Sequence, residues 1–203
     1  MGLTGKFVAG YVGTIGMAHG LGTLLDAAVE CEQKRPDVAF LVVGEGAHRE
    51  QTLGEIAKRG LTNVRVLGQQ PRERVADLIR LSDACLVLLK KAEVFRTVIP
   101  TKMLEFMACG RPVVLGVEGQ AREILEAAGA GIAVEPENVA ALCGALDHLR
   151  GDPWLGRSLG RAGRQYIEAN LSRESTAQAY LEVLERLAGR GMERRTAAAP
   201  VQK

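Results

Sequence analysis

The sequence predicts an α/β domain: a doubly wound, Rossmann-like parallel sheet of about six strands with helices on both faces, followed by C-terminal helices. Three observations predict it. Six short runs are almost continuously apolar, as strands buried on both faces are. Each run is followed by a segment whose apolar residues recur at helical spacing. Glycine and polar residues punctuate every junction.

The elements follow in order. Lys6–Val12 (KFVAGYV) is the first strand, and a glycine-rich turn leads from it to a helix over Leu21–Arg35. Val38–Gly44 (VAFLVVG) precedes a helix over Arg49–Arg59, and Val64–Gly68 (VRVLG) precedes one over Arg72–Leu81. Ala84–Leu89 (ACLVLL) runs through a loop into a short helix, Lys102–Cys109. Pro112–Gly116 leads to Ala121–Ala128, and Gly131–Glu135 leads to Val139–Arg150. Two more helices follow. Pro153–Ala169 carries an apolar stripe of Leu155, Leu159, Ala162 and Tyr166, and Arg173–Ala188 carries one of Ala177, Tyr180 or Leu181, Leu184 and Leu187. Residues 1–188 form the expected domain. Gly189–Lys203 has no apolar period and reads as a disordered tail.

Composition narrows the function. The 203 residues suit one domain, or one with an appendage, and 47% hydrophobic with 25% charged residues is a globular balance. A net charge of +2 does not imply nucleic acid, and 4% aromatics gives little material for stacking bases. Cys31, Cys85, Cys109 and Cys143 form no C-x-x-C pair, so they read as buried free thiols of a reducing compartment. His19, His48 and His148 lack metal-ligand spacing, and no metal is expected. No apolar run is long enough to span a membrane and no signal-peptide pattern opens the chain, so a cytoplasmic location is expected.

Two glycine-rich loops leave the predicted strand ends. GYVGTIGMAHGLG holds Gly10, Gly13, Gly16, Gly20 and Gly22; such a loop lets backbone amides and a helix N-terminus approach a diphosphate. The spacing of Gly10, Gly13 and Gly16 also fits the G-x-x-G-x-x-G of nicotinamide-dependent epimerases and dehydrogenases. However, none of Tyr11, Tyr166 and Tyr180 has the lysine four residues on that such enzymes use. Plain turn and packing glycines are a third reading. Gly44, in VVGEG, ends the second strand at the same sheet edge, and Glu45 beside it can grip a ribose or stand as a solvated acid.

The stretch IPTKMLEFMACGRPVV, Ile99–Val114, concentrates chemistry in one helical turn. Thr101 fits an N-cap, Pro100 fixes the entry of the chain, Lys102 adds positive charge, and Glu105 lies one turn along with acceptors for a sugar diol. An ordinary capped helix, with Glu105 solvated or paired to Lys102 or Arg111, accounts for the same residues.

The ordered segments GYVGTIGMAHGLGTLLDAA, FLVVGEGAHREQTL, VRVLGQQPRERVADLIRLSDACLVLL, VIPTKMLEFMACGRPVVLGVEGQAREIL and AGIAVEPEN resemble the C-terminal domain of group 1 glycosyltransferases of the GT-B fold. The likeness is to bacterial enzymes of surface-polysaccharide assembly and covers Lys6–Leu187. It implies a domain that binds a nucleotide-diphosphate sugar, with no cofactor beyond that donor substrate. It also implies a separate N-terminal domain for a polysaccharide or lipid-linked acceptor. A chain of this length cannot supply both domains, so it reads as a fragment, an isolated domain or half of a split enzyme. The resemblance also implies a final helix that crosses back to the N-terminal domain, so Arg173–Ala188 is expected to be poorly anchored here or to pack on another molecule.

By the same resemblance Glu105 binds the donor ribose. Gly13, Thr14, Gly16 and His19 lie beside the diphosphate, Gly44 in the adjoining loop, and Gln70 and Arg72 where the base is recognised. Ile99, Pro100 and Thr101 present backbone groups to phosphate or sugar. Two departures stand out. Thr97 occupies the place of a glutamate that contacts the donor sugar in many relatives. Thr14 and His19 stand where many have an arginine and a lysine. Neutralising the departing diphosphate then falls to Lys102, helped by Arg96 or His19. A Pro-Ser/Thr-Lys form of this turn is familiar in the polysaccharide branch. No D-x-D sequence occurs, so the expected transfer is metal-independent, and the resemblance implies retention of anomeric configuration. Finally, Arg157, Arg161 and Arg164 recur opposite the apolar stripe, either as a solvated basic face or as one turned to anionic lipid at the inner membrane.

Overall fold

The computed structural model describes residues 2–197, with the backbone alone for 189–197. Six strands form one sheet: β1 Phe7–Val12, β2 Val38–Val43, β3 Val64–Leu67, β4 Ala84–Leu88, β5 Val113–Gly116 and β6 Gly131–Ala133. The order is β3-β2-β1-β4-β5-β6 and every pairing is parallel. The expected doubly wound fold is present. Sequential order reverses between β1 and β4, which places the topological switch, and with it the ligand crevice of such sheets, at the carboxyl ends of those two strands.

The helices are α1 Leu21–Lys34, α2 Arg49–Arg59, α3 Arg72–Leu81, α4 Thr101–Ala108, α5 Gln120–Ala128, α6 Val139–Gly151, α7 Pro153–Asn170 and α8 Arg173–Ala197. Their ends follow local chemistry. Gly60 and Gly129 close α2 and α5 in the left-handed conformation, at φ 65° and 56°. Asn138 caps α6 by accepting the Ala141 amide at 2.9 Å.

The chain divides into two compact units, Met1–Gln165 and Tyr166–Lys203. In the first, Phe40, Val42, Leu86 and Val114 of the sheet are buried with Leu24 and Ala28 of α1 and Leu142 and Leu146 of α6. There α1 and α6 lie side by side, with the Cys31 and Cys143 sulfurs 4.0 Å apart. Below them Arg35 caps α1 and donates to Asp147 at 2.7 Å, while Arg150 donates to Asp37 at 2.7 Å. These bonds hold both aspartates' pKa values down and tie the helix ends to the β2 approach. All four cysteines are free; Cys31, Cys85 and Cys143 are buried and Cys109 is half-buried.

One expectation needs correction here. The tail expected from Gly189 is helical as far as Ala197, since Glu, Arg, Met and Ala are good helix formers without an apolar stripe; residues 198–203 lie outside the described residues. In α7 the most buried positions are Gly160 and Gly163, while Leu155, Leu159 and Ala162 are half-buried. The expected stripe is the packed side, with Leu155 and Leu159 against the core, and a Cβ on Gly160 would stand 2.2 Å from the Gly110 carbonyl oxygen, so close backbone approach seats the helix along with that stripe. In the second unit, Tyr180, Leu184 and Leu187 of α8 are exposed.

Candidate functional site

The loops after β1 and β2 lie backbone on backbone. The Gly13 amide donates to the Val43 carbonyl at 2.9 Å, Ile15 to Glu45 at 2.9 Å, and His48 to Ile15 at 3.0 Å. Gly44 has φ 149°, and a Cβ there would meet the Gly13 carbonyl oxygen at 1.9 Å. Glycine at 44 is therefore required by loop-on-loop packing. Gly10 belongs to no loop. It lies inside β1, where a Cβ would stand 1.9 Å from the Ser82 hydroxyl oxygen. The apparent Gly10/Gly13/Gly16 phosphate turn is thus one strand glycine and two loop glycines.

On the β4 side, the loop before α4 contains a short 3-10 turn, Glu93–Thr97, and α4 begins after Pro100. Pro100, not Thr101, is the N-cap: its carbonyl accepts the Met103 amide at 2.9 Å, and no side chain caps the helix. The proline ring holds φ at −65° and ψ at 120°, so the chain enters the helix without needing the Thr101 hydroxyl. Amides of the first turn are left for an outside acceptor.

Lys102 joins the two sides. Its Nζ donates to the Tyr11 hydroxyl at 2.9 Å and lies 4.1 Å from the centroid of the Tyr11 ring. The Tyr11 hydroxyl in turn donates to the Thr14 carbonyl at 2.5 Å, which fixes the phenol across the β1–α1 loop. Gly13 leaves room for this lysine: a Cβ there would press on Cε and Nζ at 3.0 Å. Burial lowers the Lys102 pKa to about 8, against a smaller upward pull from the Glu105 carboxylate. His19 stands edge-on to Tyr11, with ring centroids 6.2 Å apart. Its Nδ1 is buried without a hydrogen-bond partner. Burial and the Lys102 charge push its pKa down, against a smaller upward pull from the Gly16 backbone, and the net shift favours the neutral imidazole.

These parts open onto a groove made of two adjoining cavities. One, of about 380 Å³, is lined by Gly13, Thr14, Gly44, Gln70, Thr101, Lys102 and Glu105, among others. The second, of about 560 Å³, shares Gln69, Gln70, Val75 and Glu105 and adds Arg72, Ile79 and Cys109. One end of the groove therefore offers an ammonium and free helix amides, the middle an exposed carboxylate, and the far end amide and guanidinium groups over an apolar floor. That sequence of groups suits a ligand with an anionic, a hydroxylated and a flat part.

Not every expected residue reaches the groove. Thr97 is exposed and its hydroxyl donates to the Val94 carbonyl at 3.4 Å within its own turn; it lines neither cavity. Arg96 lies beside Glu93 at 3.5 Å and lines a separate cavity of about 340 Å³ with Lys90 and Lys91. Ile99, Pro100, Gly16 and His19 are absent from the lining of both cavities. Glu45, by contrast, lines the first cavity, where Arg49 holds it at 3.3 Å and the Gln69 amide donates to it at 3.4 Å. The residue that sequence reasoning passed over is Tyr11. Its signal was a lone hydroxyl-bearing side chain next to last in an otherwise apolar strand, at the ligand edge. Among the described residues no group of three or more His, Cys, Asp or Glu is placed to hold a metal, and no helix is long and apolar enough to cross a membrane.

Residues 3–166 match the family model described as glycosyl transferases group 1. A GDP-mannose-dependent monoacylated alpha-(1-6)-phosphatidylinositol monomannoside mannosyltransferase of Corynebacterium glutamicum is 31% identical over 178 residues, 82% of this chain and 44% of the relative. An alpha-D-kanosaminyltransferase of Streptomyces kanamyceticus is 29% identical, over 76% of this chain and 39% of its own length. The chain thus spans less than half the length of these relatives. Among solved structures, the C-terminal domain of the group 1 glycosyl transferase LpcC from Francisella tularensis superposes with TM-score 0.69 and 23% identity, covering 83% of this chain and 88% of that one. Anabaena HepE with UDP-glucose gives TM-score 0.75 and 21% identity, covering 91% of this chain and 50% of that one. At these identities the superpositions speak for the fold alone.

Proposed function

The chain belongs to the group 1 glycosyl transferases, and from that membership we propose that its groove binds a nucleotide-diphosphate sugar as the donor half of a transferase. The observation that carries the reading is Lys102: one partly buried ammonium at the meeting point of the Gly13 loop and the uncapped start of α4, with Glu105 one turn away. In this reading the diphosphate lies on Lys102 and the first amides of α4, the ribose hydroxyls donate to Glu105, and the base lies over Val75 against Gln70 and Arg72. Thr14, Gly16 and His19 back the phosphate side, and Thr97, Ile99 and Pro100 border the sugar.

The proposed chemistry needs little from this half beyond charge. An acceptor hydroxyl attacks the anomeric carbon, a glycosidic bond forms, and the bond from that carbon to the β-phosphate oxygen breaks. The electron pair leaves on the diphosphate, whose departing oxygen takes the acceptor's hydroxyl proton, and Lys102 and the helix amides stabilise the charge without a metal. Retention of configuration, a polysaccharide or lipid-linked acceptor and a second domain or chain carrying the acceptor site complete the proposal. Family membership does not favour the nicotinamide-dependent alternative, and Gly10 inside β1 removes the glycine turn that suggested it.

Calorimetric titration with UDP, GDP, ADP and NAD, repeated on Glu105→Ala, tests this. One nucleoside diphosphate should bind selectively, and the substitution should weaken it about ten-fold or more through loss of charge-assisted hydrogen bonds. Binding of NAD alone would overturn the reading.

A further inference from the structure

We propose that the outer face of α7 docks on an anionic lipid bilayer. This rests on a different part of the molecule from the donor groove and does not depend on it. The helix seats its inner side through Gly160 and Gly163, which approach the Gly110 carbonyl and the Ala130 and Met107 side chains. Trp154, Arg157 and Arg161, spaced by three and four residues, share a stripe on the other side, and all three are exposed. Trp154 is 69% exposed, an unusual state for the largest apolar side chain of the chain.

The charge of this stripe is uncompensated. The stripe's charged residues are Arg157 and Arg161, and it holds no acidic residue. Neither Arg157 nor Arg161 takes part in any of the ion pairs or hydrogen bonds among the described residues. Arg157 also lines a cavity of about 460 Å³ with Arg111, which likewise has no acidic partner. Asp83, in the same cavity, is engaged by the Val8 amide at 2.8 Å.

The combination selects the occupant. Indole rings favour the headgroup level of a bilayer, where one edge is wet and the other apolar. Guanidinium groups beside an anionic leaflet are attracted by its surface potential and need no shaped counterpart. A helix face with one large exposed aromatic and two unpaired cations suits a fluid anionic surface, which answers charge and an indole ring without a shaped counterpart.

Trp154 is the one tryptophan of the chain, so its fluorescence reports this face alone. The intact chain should be mixed with vesicles of phosphatidylcholine containing phosphatidylglycerol, and separately with phosphatidylcholine alone. The expected result is co-sedimentation and a blue-shifted emission with the anionic vesicles only, both reversed by salt. The double variant Arg157→Gln/Arg161→Gln should partition about twenty-five-fold less, since each arginine near such a surface contributes about five-fold. Trp154→Ala should also co-sediment less. Circular dichroism identical to the parent chain establishes that these exposed substitutions leave the fold intact.

Four outcomes would overturn the proposal. They are no co-sedimentation, equal partition of the double arginine variant, a blue shift that grows with protein concentration in the absence of vesicles, or the same emission change with inorganic phosphate at matched ionic strength. The third would assign the face to a second copy of the chain, and the fourth to a soluble anion.

Discussion

The Lys102 ammonium rests on Tyr11 twice over, by a 2.9 Å hydrogen bond to the phenol oxygen and by a 4.1 Å approach to the ring centroid. Ninety-one positions separate the two in sequence. The pair holds a positive charge in place where a diphosphate is proposed to bind, yet the tyrosine contributes no formal charge to neutralise it. Burial without a counter-ion lowers the lysine pKa to about 8, and two consequences are measurable.

The first is the pH dependence of binding. Below about pH 8 Lys102 is charged in the free chain and affinity for a nucleoside diphosphate is flat. A bound diphosphate raises the lysine pKa, so above that pH binding must take up a proton. Affinity should then fall by up to about ten-fold for each pH step of one. Calorimetry across this range should show the decline in the parent chain and a weak, nearly flat profile in Lys102→Met.

The second is stability. A lysine whose folded pKa lies below its ordinary 10.5 disfavours the folded state wherever it is charged, fully below about pH 8 and not at all above 10.5. Lys102→Met keeps the length and removes the buried charge, so at neutral pH it should stabilise the chain by about 2 kcal/mol. The parent chain should close this gap as pH rises from 8 to 10.5. Urea unfolding of both proteins at the two ends of that range checks the sign. A destabilised variant at neutral pH would mean that the Tyr11 contacts outweigh desolvation.

Glycines separate into those the fold needs and those it merely tolerates. Gly44→Ala puts a Cβ 1.9 Å from the Gly13 carbonyl oxygen at a φ of 149°, a clash with backbone that no side-chain rotation relieves. It should cost about 3 kcal/mol or more and weaken nucleotide binding by displacing the Gly13 loop. Gly144, inside α6, has open space where a Cβ would go. Gly144→Ala should raise stability by about 1 kcal/mol and leave binding unchanged. Thermal melts with and without nucleotide distinguish the two.

How much of this was legible beforehand follows from what is local. Strand and helix limits agree with the sequence reading to within one or two residues as far as α7, because burial on both faces and helical spacing are properties of adjacent residues. Lys102 and Glu105 were legible for the same reason, lying within one turn. What escaped depends on distant parts meeting. The Tyr11–Lys102 contact exists only once β1 and α4 share an edge. The strand role of Gly10 depends on Ser82, and the demand for glycine at 44 depends on the Gly13 carbonyl. Thr101 looked like a cap because its chemistry permits one; Pro100, one residue earlier, had already fixed the entry geometry. A departure such as Thr97 shows what was replaced, whereas its hydrogen bond back to Val94 is a matter of coordinates.

Glu137 carries the last prediction. Among the described residues it is the one non-glycine with positive φ, at 62°. A left-handed backbone at such a residue costs about 1–2 kcal/mol, and its carboxylate accepts the Lys91 amide at 2.9 Å across 46 residues. Glu135 holds the Lys91 ammonium at 2.8 Å beside it. The loop after β6 thereby grips the first residues of the loop that leads from β4 into α4. Glu137→Gly should relieve the backbone strain and release the Lys91 amide together, leaving global stability within about 1 kcal/mol of the parent. Hydrogen exchange at Lys91 should nevertheless accelerate, and nucleotide affinity should drop as the approach to Lys102 loosens. Unchanged protection of that amide would show that the loop is held by its own 3-10 turn, and that the strained glutamate serves the β6–α6 connection alone.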